Sequence, residues 1–461
     1  MTYSTTTPLD RSKPPKPGLP SKVTFPKYFE GRCDNGFRYF VVENHTLPIV
    51  TIGFVAKEGA LFDGDLPGLG SVTSELLTKG TKNRTATQIA EEIDFVGGSL
   101  STNVSWDASQ AFVSVLKHHL ATGFNILQDI ILNPVFPESE IARVKAQRLA
   151  SIQQLKAEPG YLADVRFLSS VFGGHPYGQP SSGTEKSIAK MTRRDFVKFH
   201  KTHCTPGSSF LVFAGDIDPR EAEKYVSRRF ARWRGKMYAP SAIRAASKKE
   251  KGKICIVDKP GAVQSALRVG HIGIARNSRD FLKAFVMNTL LGGYFSSRIN
   301  MNLREVHGYT YGGKSTFDAR MLPGVFEVAT DVRNDVTSET VNEILIELNK
   351  IRDTLPSKDE MTMVKNYLAG LFPIQLETPQ QVAGRVIVIE LYNLPKNYYR
   401  NYRDDIMKVT ARDIQAVAKK YIHPDRLSIV LSGSSKEIAG KLKKFGEVAV
   451  LDPEGNKISE L

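Results

Sequence analysis

The chain has 461 residues, 41% of them hydrophobic and 24% charged. That composition excludes wholesale disorder and leaves ample material for buried cores in roughly two to four domains. Lys plus Arg exceed Asp plus Glu by 15, but the excess gathers in RSKPPKPGLPSKVTFPK, ASKKEKGK and the stretch from KKYIHPDR to KLKK. No aromatic-studded basic stripe accompanies these runs, so they read as solvated surface and no nucleic-acid groove is expected.

Residues 1–22 are rich in Pro, Thr and Lys and read as an extended tail without the apolar stretch of a signal peptide. FRYFVVEN and PIVTIGFVAKEG follow as β-rich runs on either side of the turn-like HTL. A helical pattern covers about Leu69 to Leu77. A second, TATQIAEEIDFVG, has Thr85 or Thr87 as its cap and Gly97-Gly98 as its stop. SLSTNVSWDASQAFVSVL is strand-like, and LATGFNILQDIILN is helical. The three cysteines, Cys33, Cys204 and Cys255, are far apart and exclude a disulfide framework or a cysteine-based metal motif. No apolar run reaches the length of a membrane span.

The second half repeats this order. SALRVGHIGIA is strand-like, FLKAFVMNTLLGG is helical and ends in paired glycines, and GVFEVATDV is strand-like again. The unit ends compare best: FNILQDIILNPVFPESEIARVKAQRLA against NEILIELNKIRDTLPSKDEMTMVKNYLAG. Each has an apolar helix, a Pro-containing turn, an acidic start signal and a second helix, about 215 to 220 residues apart, which implies an internal duplication. The polar, basic stretch 239–253 between the units reads as a linker, giving units at 23–238 and 254–461. Hairpin-like strands mixed with helices, without strict strand-helix alternation, indicate an α+β class.

PGLGSVTSELLTKGTKNRTATQIAEEIDFVGGSLS closely resembles the zinc helix and following helix of the pitrilysin/insulinase (M16) family of zinc metallopeptidases. LNPVFPESE, HPYGQPSSGTEKSI, FHKTHCTPGSSFLVFAGDIDP and LLGGYFSSRINMNLREVHGYTY extend the resemblance over nearly the whole chain beyond the tail. In that family an inverted H-x-x-E-H motif puts two imidazoles on one zinc, and the Glu between them acts as general base on bound water. Laid on this chain, the first His position is Ser71, the Glu position is Ser74 and the second His position is Glu75. The family's third ligand, a Glu on a later helix, matches Ser151 in an ungapped reading. Hydroxyls and a lone carboxylate do not make the closed ligand set that binds zinc tightly, so no zinc is expected on this chain. His118 and His119 are adjacent and so diverge on a helix, and His175 falls in the family's HPYG turn.

One pair matches the family intact. Within LREVHGYTY, the L-R-x(6)-Y pattern places Arg304 and Tyr311 seven residues apart. In peptide-cutting members these residues come from a C-terminal half and close over the zinc. The phenol bonds the forming oxyanion, and the guanidinium binds a peptide carbonyl or carboxylate. Spacing alone would equally suit an exposed helix Arg and a core Tyr; the flanking GGYFSSRI and GGKS favour the pair. Residues 308–315, GYTYGGKS, also satisfy the phosphate-loop pattern, but a helical stretch precedes them and a turn-like TFDARMLPG follows, which is the wrong context.

The resemblance implies two homologous α+β domains, each a mixed sheet covered on one face by helices. It further implies that two chains close like a clamshell around a chamber. A paralogous partner with an intact H-x-x-E-H would supply zinc and base, and this chain would supply Arg304 and Tyr311. Substrates would be unfolded peptides, bound in part by strand addition. The alternative is a structural or peptide-binding subunit with no catalytic role, like the core proteins of a respiratory complex. A cytoplasmic location is the default expectation, and a periplasmic one if a leader is missing.

Overall fold

The computed structural model describes residues 24–235, 243–247 and 252–460. The expected tail, 1–22, lies outside the described residues, as does much of the expected linker.

The described strands form two sheets. The first is built from β1 (Phe29–Arg32), β2 (Arg38–Glu43), β3 (Ile49–Ala56), β4 (Ser99–Val104), β5 (Ser109–Leu116) and β6 (Ser209–Gly215), in the order β1-β2-β6-β3-β5-β4. The second contains β7 (Ile254–Asp258), β8 (Gln264–Ile272), β9 (Gly313–Asp318), β10 (Val325–Arg333), β11 (Ser428–Gly433), β12 (Val448–Leu451) and β13 (Lys457–Glu460), in the order β13-β12-β7-β11-β8-β10-β9. The five-strand run β2-β6-β3-β5-β4 and the run β7-β11-β8-β10-β9 have one topology. In each, the first pair is parallel and the others are antiparallel. The fold is α+β and duplicated.

Burial follows strand position. The central strand β6, SFLVFAG, is buried at every residue, as a strand covered on both faces must be. The edge strand β4, SLSTNV, alternates exposed and half-buried residues. The edge strand β9 differs from its expected reading, because the TFD taken as turn is strand up to Asp318 and pairs with β10 at Val325–Glu327. Lys314 therefore lies within a strand rather than at a helix start, and the phosphate-loop pattern has no phosphate-loop structure.

Helices cover both faces of each sheet, where one covered face was expected. The helix Pro159–Phe172 leaves the first unit and packs on the second sheet, burying Phe167, Val171 and Phe172 against Cys255, Ile272, Val325 and Val430. The helix Pro379–Leu391 does the reverse, setting Val382, Ala383, Val386 and Ile387 against Phe40, Val42, Val55, Phe210 and Val212 of the first sheet. Each buried Val, Ile or Phe among them contributes about 1.5–3 kcal/mol by leaving water, so the exchange joins the halves strongly. Both helices start at Pro in the first turn, and Thr378 with Gln381 forms a capping box at the second.

A polar hub lies between the halves. Buried Asp107 accepts from Tyr177 Oη (2.7 Å), Tyr392 Oη (3.1 Å) and the Met321 N–H (2.8 Å). Arg320, also buried, stacks on Trp106 and Tyr177, with its guanidinium carbon 4.3 and 4.6 Å from the two ring centroids. His175 caps the turn Pro176–Gly178, and its Nε2 lies 3.0 Å from the Arg244 carbonyl. The described part of the expected linker is thereby docked, with Ile243 and Ala246 packed on the hydrophobic cluster that the two halves share.

Candidate functional site

The positions expected to match the zinc motif, Ser71, Ser74 and Glu75, lie on the helix Leu69–Leu76. Its start is set by a residue that sequence reading missed. The carboxylate of buried Asp63 accepts from the N–H groups of Gly68 and Gly70, both at 2.7 Å, and so satisfies free donors of the first turn. Burial pushes the Asp63 pKa up to about 7 against these donors. Gly68 has a left-handed φ of 89° and sits so close to Gly183 that an added Cβ would lie 2.6 Å from its Cα.

Ser71, Ser74 and Glu75 share this helix, and the helix Glu138–Lys156 carrying Ser151 packs against it. Ser151 is exposed and Ser71 half-buried. Glu75 Oε2 accepts from Arg148 Nε at 2.8 Å and lies 2.7 Å from the second guanidinium nitrogen. A carboxylate at the second His position is thus matched by a guanidinium one turn before Ser151, and positive charge comes from a side chain. The two residues are 73 apart in sequence, and nothing in either local pattern announces the pair.

Ser74 is buried, and its Oγ has no hydrogen-bond partner among the described residues. It lines a small cavity of about 30 Å³ with Glu58, Thr73, His200, His203 and Cys204. Burial lowers the His200 pKa to about 4 and raises that of Cys204, so the imidazole is neutral and the thiol protonated at neutral pH. Glu58 pairs with His203 Nδ1. The rings of His118 and His119 lie 4.0 Å apart on the turn Lys117–His119, closer than helical divergence implied. Among the described residues, no three His, Cys, Asp or Glu side chains converge as a metal site.

Arg304 and Tyr311 lie on the second unit and are presented differently. The helix Phe281–Asn288 runs into a π-helical segment, Thr289–Gly293, and Arg298–Asn300 runs into another, Met301–Val306, which carries Arg304. Such wide turns re-aim side chains and recur at functional sites. The Arg304 guanidinium lies over the Phe295 ring, 4.8 Å from its centroid, and its Nε is 3.5 Å from Glu305 Oε1. Gly308, with φ 62°, ends the helix and returns its N–H to the Arg304 carbonyl at 3.1 Å.

Tyr311 follows on a turn whose backbone is held from below. The Gly312 N–H donates to Thr310 Oγ1 (3.1 Å), and Thr330 Oγ1 of β10 donates to the Gly312 carbonyl (3.1 Å). The side chain itself is 93% exposed, and Phe295 is 63% exposed beside Arg304. A phenol on a pinned turn with its ring in solvent is available to a second molecule rather than to the core. Sequence spacing could not give that distinction.

Residues 39–185 match the family model described as insulinase (peptidase family M16), and residues 190–368 match the one described as peptidase M16 inactive domain. An uncharacterized zinc protease of Rickettsia bellii is 26% identical over 410 residues, covering 87% of this chain and 96% of the relative. One of Bacillus subtilis is 24% identical, covering 77% and 85%. In fold, the chain is similar to the crystal structure of a peptidase M16 inactive domain from Pseudomonas fluorescens, with a TM-score of 0.84, 24% identity and coverage of 88% of this chain and 98% of that one. A protease from Helicobacter pylori has a TM-score of 0.82 at 19% identity, with coverage of 88% and 99%. With matches to both of its halves, the chain belongs to the insulinase (M16) peptidase family.

Proposed function

We propose that this chain is the non-zinc-binding subunit of a two-chain M16 peptidase, contributing Arg304 and Tyr311 to a zinc site that a paralogous chain with an intact H-x-x-E-H carries. The observation that carries this reading is the contrast between the two halves. The motif positions of the first are two serines, a glutamate tied to Arg148 and a distant exposed serine, whereas Tyr311 of the second is almost wholly exposed on a hydrogen-bonded turn.

In this reading the Tyr311 hydroxyl donates to the oxyanion that develops when zinc-bound water attacks a peptide carbonyl, and Arg304 holds a neighbouring carbonyl or carboxylate of the substrate. Zinc and the general base belong to the partner. The substrates are unfolded peptides that fit between two closed subunits, and the polar edge strand β4 offers main-chain pairing to them.

The test is reconstitution. The chain is mixed with the H-x-x-E-H-bearing chain, and mass, zinc content and cleavage of an unstructured peptide are measured for each chain alone and for the mixture. The expected result is one zinc per heterodimer and cleavage by the mixture only. A partner that is fully active alone and indifferent to this chain would leave a structural or peptide-binding subunit.

A further inference from the structure

Two asparagines outside the Arg304/Tyr311 pair bear on its geometry. Asn288 and Asn300 each stand immediately before a π-helical segment, and both are buried, at 7% and 6% exposure. Asn288 Nδ2 donates to the Ser315 carbonyl at 2.9 Å, and Ser315 Oγ donates back to Asn288 Oδ1 at 2.9 Å. Asn300 Oδ1 accepts from the Gly313 N–H at 3.1 Å, while its Nδ2 donates to the Phe295 carbonyl at 2.7 Å.

Gly313 and Ser315 belong to β9, which has a strand neighbour, β10, on one side only. An edge strand has a row of peptide groups without strand partners and is free to shift or fray. A carboxamide offers one acceptor and two donors, the complement a peptide group needs. The two asparagines therefore stand in for a second neighbouring strand. Gly292 permits the approach, since an added Cβ there would lie 2.4 Å from the Ser315 nitrogen.

The clamped residues lead straight to the pair. Tyr311 precedes Gly313 by two residues, and its exposed ring has no packing of its own to fix it. Phe295, whose carbonyl Asn300 holds, is the ring under the Arg304 guanidinium. One carboxamide thus joins the loop beneath Arg304 to the strand that follows Tyr311.

We propose that Asn288 and Asn300 are positioning residues that lock β9 to the π-helical segments and so hold Tyr311 and the Phe295–Arg304 stack in one geometry. The proposal rests on the assignment of Arg304 and Tyr311 above. A phenol that must meet a transient oxyanion gains from a fixed backbone, because a misplacement of about 1 Å can cost roughly a hundredfold in rate.

The experiment uses the full chain with its H-x-x-E-H partner and compares Asn300→Leu, Asn300→Asp and Tyr311→Phe. Amide exchange over 310–317 reads the clamp, and kcat and KM on one peptide read its use. Asn300→Leu is expected to raise exchange about tenfold or more and to lower kcat by a roughly similar factor with KM nearly unchanged, the mark of an interaction made in the transition state. Asn300→Asp keeps the acceptor for the Gly313 N–H but loses the donor to the Phe295 carbonyl, and is expected to restore protection over 310–317 more fully than kcat. Unchanged exchange in Asn300→Leu overturns the proposal, as does unchanged kcat where Tyr311→Phe lowers it. If Tyr311→Phe has no effect, the catalytic assignment fails instead, and exchange alone decides whether the asparagines hold β9.

Discussion

His200 shows how a single half-buried group leaves a measurable trace. Its folded pKa, lowered to about 4 by burial, lies below the ordinary 6.5. The unfolded chain therefore takes up a proton that the folded chain refuses, and stability is lost as pH falls from 6.5 towards 4. Between pH 7 and pH 5 this residue is expected to remove about 2 kcal/mol. Buried carboxyls such as Asp63 act in the opposite sense over this range, so the residue is read by difference: urea titrations at the two pH values should show the wild type losing about 2 kcal/mol relative to His200→Gln. Tyr311 is the opposite case, since its 93% exposure makes it nearly irrelevant to folding. Tyr311→Phe is expected to change stability by less than about 0.5 kcal/mol in the same titration. Any loss of activity in that variant is then a loss of chemistry.

At the scale of elements, local signals and long-range contacts divide cleanly. Of the two cap candidates Thr85 and Thr87, Thr85 caps the helix and makes a capping box with Gln88, and Thr85→Ala should cost about 1 kcal/mol by thermal denaturation. Most of the strand-like runs and several helices were likewise legible, because periodicity and turn residues encode them locally, although the single stretch 99–116 divides into the paired strands β4 and β5. Four features were not. Asp63 caps the motif helix from a preceding loop, Arg148 meets Glu75 from another helix, and the π-helical segments carry no composition signal. The last is β9, whose polar GKSTFD lacks a continuous apolar pattern and is strand because β10 and the two asparagines supply its partners. The expectation that Ser71, Ser74, Glu75 and Ser151 make no zinc set needs only the identity of four residues, whereas the Glu75–Arg148 contact does not follow from it.

Over the whole molecule, the exchanged helices decide how the two units behave. Phe167 belongs by sequence to the first unit but is buried on the second sheet, against β8 and β11, in a cluster shared by both halves. Phe167→Ala is expected to cost about 3–5 kcal/mol and to lower the stability of both halves together. Calorimetry should show one transition moving as a unit, and two separated transitions would contradict the exchange as a joining device. The duplication was visible in sequence as a spacing, whereas the exchange joins residues far apart in the chain and leaves no local trace.

The central claim is that this chain completes another chain's active site through Tyr311. Its most direct test is the rate of peptide cleavage by the mixed subunits, with wild type against Tyr311→Phe at equal heterodimer concentration. Removing one oxyanion donor is expected to lower kcat by roughly a hundredfold to a thousandfold, with zinc content and association unchanged. A Tyr311→Phe mixture as fast as wild type would contradict the account and leave the chain a structural or binding subunit.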